Sequence, residues 1–295
     1  MIEISVLGRE QYALFCERNP EFHDSDAGML LRQASDYQLV DGDVVVADAQ
    51  VTRKSVDTWG ENCWLQFGQY GFRDQAALKA LFTNLAQAES DRGVRQFYVE
   101  VAAGDEHTVK SWFELGFGLQ HVSGIQRRPE ALGHRGAHVA RELRETDLEG
   151  IAHLERELTF HQAQSPVFSK LAPQSVEEIV SEWRDELHTN EIVTRVVEVD
   201  GSVVGFAYGC STEKSGLHSG LLRPRNSATF AFCAVSPEFR RRGIAEALAT
   251  SVIQELKARG FDHVVTDWRA TNQLSSNTWP KLGFEPTVFR LHRAI

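Results

Sequence analysis

The sequence is short of several things. No apolar run approaches the roughly 20 residues of a membrane-crossing helix, so no membrane partner is expected. There are only four cysteines, Cys16, Cys63, Cys210 and Cys233, and none has metal-ligand spacing. Free thiols in a reducing cytoplasm, and no metal, are the reading. Positive charge is in deficit, with 31 Lys and Arg against 41 Asp and Glu and a net charge of -10. That balance argues against nucleic acid as a partner and favours a cationic or neutral small substrate. The opening MIEISVLGREQ has neither a basic n-region nor a long apolar h-region. No secretory signal is read there, and a cytoplasmic location is expected.

What is present is ordinary for a globular chain: 42% apolar and 24% charged residues over 295 positions, enough for one large domain or two of common size. Against the acidic background one stretch stands out, Phe239-Arg-Arg-Arg-Gly-Ile-Ala-Glu-Ala-Leu248. Upstream, Ala228-Thr-Phe-Ala-Phe-Cys-Ala-Val235 has the composition of a buried strand, ended by Ser236 and Pro237. Downstream, Ile244, Ala247, Leu248, Ser251, Val252, Glu255 and Leu256 fall at helical spacing, and Gly260 stops the helix after Arg259. The arginines and Gly243 therefore sit at a helix N-terminus. Cations there oppose the helix dipole. They make sense where an anion docks on the free backbone N–H groups, with Gly243 letting it approach and Ala245 keeping the next contact small. The stretch predicts a pyrophosphate clasp; a solvated charge run is the plain alternative.

Arg240-Arg241-Arg242-Gly243-Ile244-Ala245 resembles the Arg/Gln-x-x-Gly-x-Gly/Ala motif of the GNAT superfamily of acyl-CoA-dependent N-acyltransferases. Further matches follow in order. The strand ending in Ala234-Val235 is similar to the family strand that splays to receive pantetheine. The next strand reads His263-Val-Val-Thr-Asp267. Then Asn272-Gln-Leu-Ser275-Ser-Asn-Thr-Trp279-Pro-Lys-Leu-Gly283-Phe284 resembles the family's Asn-x-x-Ala-x-x-x-Tyr-x-Lys-x-Gly-Phe segment. The resemblance covers residues 137–295. Trp279 stands where many members have the tyrosine that protonates the leaving thiolate, and Pro280 after it should end or kink the helix.

The N-terminal half repeats the C-terminal half. Displaced by 167 residues, Trp64–Phe117 overlies Ala231–Phe284 without a gap, with 12 identities in 54 positions where composition alone gives about 3. They include Phe72/Phe239, Arg73/Arg240, Arg92/Arg259, Gly93/Gly260, and the Trp-x-x-Leu-Gly-Phe runs from Trp112 and Trp279. Val40-Asp-Gly-Asp-Val-Val and Val199-Asp-Gly-Ser-Val-Val add a second anchor, each reading as strand, tight turn, strand. The C-terminal copy carries eight extra residues around Ser211–Asn226.

The expected fold is therefore α/β: two tandem GNAT-like domains, each a mixed, mostly antiparallel sheet with a splayed strand and flanking helices. The domains are 1–128 and 137–295, joined by a polar linker, 129–136. The first clasp reads Arg73-Asp-Gln-Ala-Ala-Leu78, in which Asp74 repels a phosphate, Ala76 adds a Cβ, and Leu78 fills the space Ala245 leaves. The first copy is expected to keep the fold without the cofactor, walling the acceptor site, completing an interface or binding another ligand. Mycothiol-forming acetyltransferases are similar in this plan.

The resemblance implies that acetyl-CoA, as co-substrate, meets Ala234, Val235, Arg240, Arg241, Arg242, Gly243, Ile244, Ala245, Asn272, Ser275 and Trp279. A backbone amide near Val235 would polarise the thioester carbonyl, and Asn272 would bond the pantetheine arm. Asn272 reads equally as a helix-start residue beside Thr271, and Trp279 equally as core. The splayed strand carries no carboxylate. Asp267 and His161 remain as candidate catalytic groups, with a structural acid and a polar wall as the plain alternatives. Glu155 and Glu157 fall in the region expected to wall the acceptor, and Glu213 and His218 in the extra loop. The function expected is N-acetyl transfer from acetyl-CoA to the amine of a small metabolite or antibiotic, by a monomer or homodimer. A protein or peptide N-acetyltransferase is one alternative, and a non-catalytic acyl-CoA-binding sensor is another of a different class.

Overall fold

A computed structural model describes residues 2–4, 6–22, 29–31, 35–56, 60–127, 138–218 and 220–295. The linker expected at 129–136 lies outside these residues. The chain begins β1 (Ile2–Ile4), α1 (Val6–Arg18), β2 (Met29–Leu31), β3 (Tyr37–Asp41), β4 (Val44–Ala49), β5 (Thr52–Val56), β6 (Gly60–Leu65), β7 (Tyr70–Phe72), α2 (Gln75–Asp91), β8 (Gln96–Ala102), α3 (Glu106–Phe113) and β9 (Gly118–Gln126). It continues α4 (Leu148–Ala163), α5 (Val176–Glu186), β10 (Ile192–Val199), β11 (Ser202–Ser211), α6 (Thr212–Ser215), β12 (Ser227–Val235), α7 (Ile244–Ala258), β13 (His263–Arg269), α8 (Gln273–Thr278) and β14 (Glu285–Ala294).

Two compact units divide the chain. One holds residues 1–123, 220–225 and 286–295; the other holds 124–219 and 226–285. The units do not follow chain order throughout, because most of β14 belongs with the first. There it runs antiparallel to β8, with Leu291 opposite Val99. In that unit β8 pairs in parallel with β6 and β6 antiparallel with β5, while β3, β4 and β7 form a separate antiparallel sheet. The apolar stripe of α2 (Leu78, Leu81, Phe82, Leu85) packs with Phe97, Val99 and Trp112 into its core.

In the second unit the order is β10-β11-β12-β13; the first two pairings are antiparallel and the third parallel. The α4 residues Leu148, Ile151 and Ala152 and the α5 residues Ile179 and Trp183 pack on Val196, Phe206 and Ala234. On β11, a Cβ at Gly205 would come within 2.8 Å of the Ile244 side chain, and one at Gly209 within 3.1 Å of both Leu256 and Val252. Those two positions are bare of side chains so that α7 can lie directly on the strand. The helical spacing read after Gly243 is the buried face of α7, with Ile244, Ala247, Leu248, Val252 and Leu256 all buried. Ser251 and Glu255 lie beside them, bonded by the Arg195 guanidinium.

The repeat is carried in three dimensions. With the displacement of 167, β8 overlies β13 end to end. Gly93 and Gly260 close α2 and α7 at φ +95° and +92°. Phe117 and Phe284 donate backbone N–H bonds to the Trp112 and Trp279 carbonyls at 3.2 and 3.1 Å. The helices that follow differ by one proline: α3 runs to Phe113, while α8 stops at Thr278 and a 3-10 turn takes over at Pro280.

Candidate active site

Along β12, cross-strand pairing to β11 continues to Val235, but pairing to β13 covers only Ser227–Thr229 against His263–Val265. Beyond that point the Thr266 hydroxyl bonds the Phe230 carbonyl, and the two strands part. The sequence-predicted splay is this divergence. A one-residue irregularity opposite Tyr208 and Gly209 accompanies it, and such bulges bend the strand that carries them.

The gap opens into a cavity of about 750 Å³. Its lining includes Ala234, Val235, Arg240, Arg241, Gly243, Ile244, Ala245, Asn272, Ser275, Trp279 and His161. Eleven of the thirteen site residues read from the sequence are therefore brought together. The other two, Arg242 and Asp267, are not on this lining. The Arg242 guanidinium sits over the Phe239 ring, 5.1 Å from its centroid. Asp267 is partly buried on β13.

The clasp is a turn of unusual backbone. Arg241 has φ +61° and Gly243 φ +82°. Alternating hands of this kind turn successive N–H groups toward one concavity, which suits an anion. Gly243 is the N-cap of α7 and supplies no side-chain acceptor to its first turn. A Cβ there would meet nothing within 4 Å. Open space thus faces the helix N-terminus, and glycine is required by its φ.

Arg240 is held from two sides. Its Nε donates to the Val235 carbonyl at 3.1 Å, and its Nη2 pairs with Glu157 Oε1 at 3.1 Å. It braces the end of the splayed strand against α4. Asn272 caps α8, its side chain accepting from Ser275 N at 3.4 Å. Asp105 caps α3 in the same way in the first copy, which supports the helix-start reading. Trp279 lines the cavity yet is buried, edge-on to Phe230 and Phe284 at 5.4 and 6.2 Å. The Cys233 thiol, also on the lining, is pushed up to about 12 by burial. It is protonated at neutral pH and is no nucleophile.

A second cavity, of about 300 Å³, lies under α4. Glu155, Ser169, Gln162 and Phe232 line it, and Leu158 lines both cavities. Trp183 Nε1–H donates to Glu155 Oε1 at 2.7 Å, and burial raises the Glu155 carboxyl above the usual carboxylate range. Burial also raises the Tyr208 phenol, with the Glu155 charge adding to it. Sequence reasoning put Glu155 on a wall but missed its burial. The signal was an acid one turn after Ile151, on the apolar stripe of α4. Glu213 and His218 line neither cavity.

The first copy is built differently at the clasp. Its helix begins two positions earlier, because Asp74 caps α2 by accepting from Ala77 N at 2.9 Å. Arg73 is tied to Asp74 and Asp41. A carboxylate of the chain itself thus caps the helix start that the second copy leaves without a side-chain cap. Phe67 donates its N–H to Glu100 Oε2 at 3.1 Å.

Among the described residues no helix is long and apolar enough to cross a membrane, and no group of three or more His, Cys, Asp or Glu is placed to hold a metal ion. Residues 157–284 match the acetyltransferase (GNAT) family. No curated protein matches the chain in sequence. Among solved structures, a GCN5-related N-acetyltransferase from Sphaerobacter thermophilus superposes with a TM-score of 0.56 at 14% identity, over 100% of this chain and 95% of that one. A GNAT-family acetyltransferase from Colwellia psychrerythraea gives 0.51 at 13% identity, over 86% and 83%. A tandem GNAT protein from the clavulanic acid biosynthesis pathway gives 0.48 at 12% identity, over 90% and 85%. The first of these spans both halves, so the expected α/β plan of two tandem copies is the fold of this chain.

Proposed function

From a chain whose residues 157–284 are a GNAT acetyltransferase-family domain, we propose an N-acetyltransferase that moves the acetyl group of acetyl-CoA to the amine of a small acceptor. The observation that carries this reading is the conjunction of the splayed β12, the uncapped N-terminus of α7 and the open space at Gly243 in one cavity. The pyrophosphate sits on the turn from Arg241 to Ala245, where backbone N–H groups and the helix dipole favour an anion. The pantetheine arm runs into the gap beside Ala234 and Val235. The acetyl carbonyl is polarised there by a backbone N–H.

Transfer is direct. The acceptor amine, once neutral, attacks the thioester carbon; the C–N bond forms and the C–S bond breaks. A proton from the nitrogen accompanies the departing thiolate, leaving CoA and the acetamide. Cys233 takes no covalent part, since its thiol is protonated. Holding both partners in line supplies much of the rate. The first copy keeps the fold and binds no acetyl-CoA, because Asp74 already caps the helix start that the cofactor would need.

The test is calorimetric titration with acetyl-CoA, followed by thiol-release assays over a panel of small amines. Micromolar binding with amine-dependent thiol release is expected. Binding with no amine-dependent release from any amine would reduce the protein to an acyl-CoA sensor, and no binding would overturn the reading.

A further inference from the structure

Resting on the acetyltransferase reading, the geometry points to the 300 Å³ cavity under α4 as the acceptor site, taking a small primary amine with a neighbouring hydroxyl. In this site we infer that the Glu155 carboxylate receives the ammonium proton, and that the Ser169 hydroxyl bonds the acceptor's hydroxyl.

Four observations converge. Leu158 lines both cavities, so the second one adjoins the splayed strand where the thioester is placed. Glu155 lines it with one oxygen already fixed: Oε1 accepts from Trp183, and among the described residues Oε2 has no hydrogen-bond partner. A carboxylate held by one oxygen presents the other to a cation. The Ser169 hydroxyl, on the same lining, is a buried polar atom without a partner. Such atoms are uncommon in native folds, and a ligand group that completes them is a direct explanation. Finally, Phe232 stacks on Tyr208 with rings 5.6 Å apart and lends the cavity an apolar wall. A cation, one hydroxyl and an apolar or ring body match this lining.

The groups facing Glu155 are Trp183 and Glu182 on α5, Tyr208 on β11 and Phe232 on β12, with Arg156 alongside it on α4. Arg156 lies over the Phe160 ring. Burial, and after it the Glu182 charge, raise the carboxyl against the Trp183 hydrogen bond, which brings it nearer the acidity a base needs near neutral pH. The step balances. The acceptor enters as R–NH3+, and one proton passes to Glu155. The neutral amine attacks, its second proton leaves with the thiolate to give CoA, and Glu155 returns its proton to water.

The test uses the full chain with two probes, trans-2-aminocyclohexanol and cyclohexylamine, bound in the presence of CoA and followed by ligand-observed NMR. The wild type is expected to prefer the amino alcohol by about tenfold, one hydrogen bond's worth. Ser169→Ala should erase that preference and leave cyclohexylamine unchanged. Glu155→Gln should weaken both probes and cut thiol release from acetyl-CoA by about 100-fold or more. It should also abolish the acid limb of the kcat/KM profile, and Glu155→Asp should recover part of the rate. Calorimetry with acetyl-CoA accompanies every variant. Intact acetyl-CoA binding with either probe unbound by the wild type, or with Glu155→Gln and Ser169→Ala indistinguishable from it, overturns this inference and leaves the acetyltransferase reading standing. Failure of the wild type to bind acetyl-CoA overturns that reading itself. If Glu155→Gln alone loses acetyl-CoA binding through misfolding, Ser169→Ala and Glu155→Asp decide the question.

Discussion

The Arg240 guanidinium donates to the Val235 carbonyl at 3.1 Å, tying the first arginine of the clasp to the last residue of the splayed strand. With Glu157 on its other side, Arg240 sets the position of the strand end as well as adding charge. Arg240→Ala should therefore raise the acetyl-CoA dissociation constant by about 10- to 100-fold, the range of a charge-assisted hydrogen bond, and should lower kcat too. Arg240→Lys should not restore kcat, since one ammonium cannot reproduce both contacts of the planar fork. Calorimetry and steady-state kinetics check this; a pure KM effect rescued by lysine would show that charge alone matters.

Gly243 and Ala76 are counterparts, and the contrast between them fixes the stoichiometry. At Gly243 the backbone is left-handed and the helix start is uncapped. At the matching turn Asp74 closes α2, its carboxyl held below the usual range by the Ala77 N–H and by Arg73. One acetyl-CoA per chain is expected by calorimetry, and none for Gly243→Asp. Gly243→Ala should separate two effects. Its Cβ meets no atom, but the φ of +82° should cost about 1–2 kcal/mol of stability. A second site of similar affinity that survives in Gly243→Asp would overturn the comparison.

Much of this was legible in the sequence because it is written in local terms. The clasp, the strand before it and the stripe of α7 are spacing and composition, and the repeat is residue identity. In the sequence Asp74 reads only as a charge that repels a phosphate; its capping of α2 two positions early is seen in the fold. The pairing of β14 with β8 was not legible, because nothing local to either strand names its neighbour. Nor was the engagement of Arg240 by Glu157, 83 positions away. Glu155 sat in plain view on an apolar stripe, but its meaning depends on Trp183 and Tyr208, which only the fold brings to it.

Glu100 is the repeat partner of Asp267, and its role in the first copy is structural. It is partly buried, desolvation raises its carboxyl, and it accepts the Phe67 N–H. A carboxyl raised on folding favours the folded state only while protonated. As pH rises past its unfolded value near 4.3, the unfolded chain ionises first and stability falls until the raised folded value is passed. Glu100→Gln keeps an oxygen for the Phe67 N–H and removes that loss. The variant should melt higher than the wild type at pH 7, and the difference should vanish below about pH 4. A variant that melts lower at pH 7 would mean that the charge itself is needed.

Asp267 and His161 separate from Glu155 by position. His161 lines the larger cavity, and Asp267 lines neither. Asp267→Asn and His161→Gln should each leave kcat within about tenfold of the wild type, well short of the loss that follows removal of a proton-transfer group. A loss of about 100-fold in either variant, with folding intact by circular dichroism, would move the base there.

Trp279 takes the place of a tyrosine in the motif that its segment resembles, and its counterpart shows what the residue does. Trp112 occupies the same position in the first copy, fully buried against Tyr70, Phe82 and Phe117. The helix start of that copy is closed by Asp74. In the second copy Phe284, the counterpart of Phe117, packs on Trp279, and Phe230 joins it from another position. The same side chain buried among aromatic rings, at a closed site and an open one, argues for core packing as its main work. Trp279→Ala should cost about 3–5 kcal/mol, as large core truncations do, and lower the melting midpoint by roughly 10 °C. Trp279→Phe should keep most of the packing and hold acetyl-CoA affinity within about threefold, a small difference in binding free energy. If Trp279→Phe instead folds normally but loses turnover, the indole N–H takes part in the reaction, and the pairing with Trp112 has been misread.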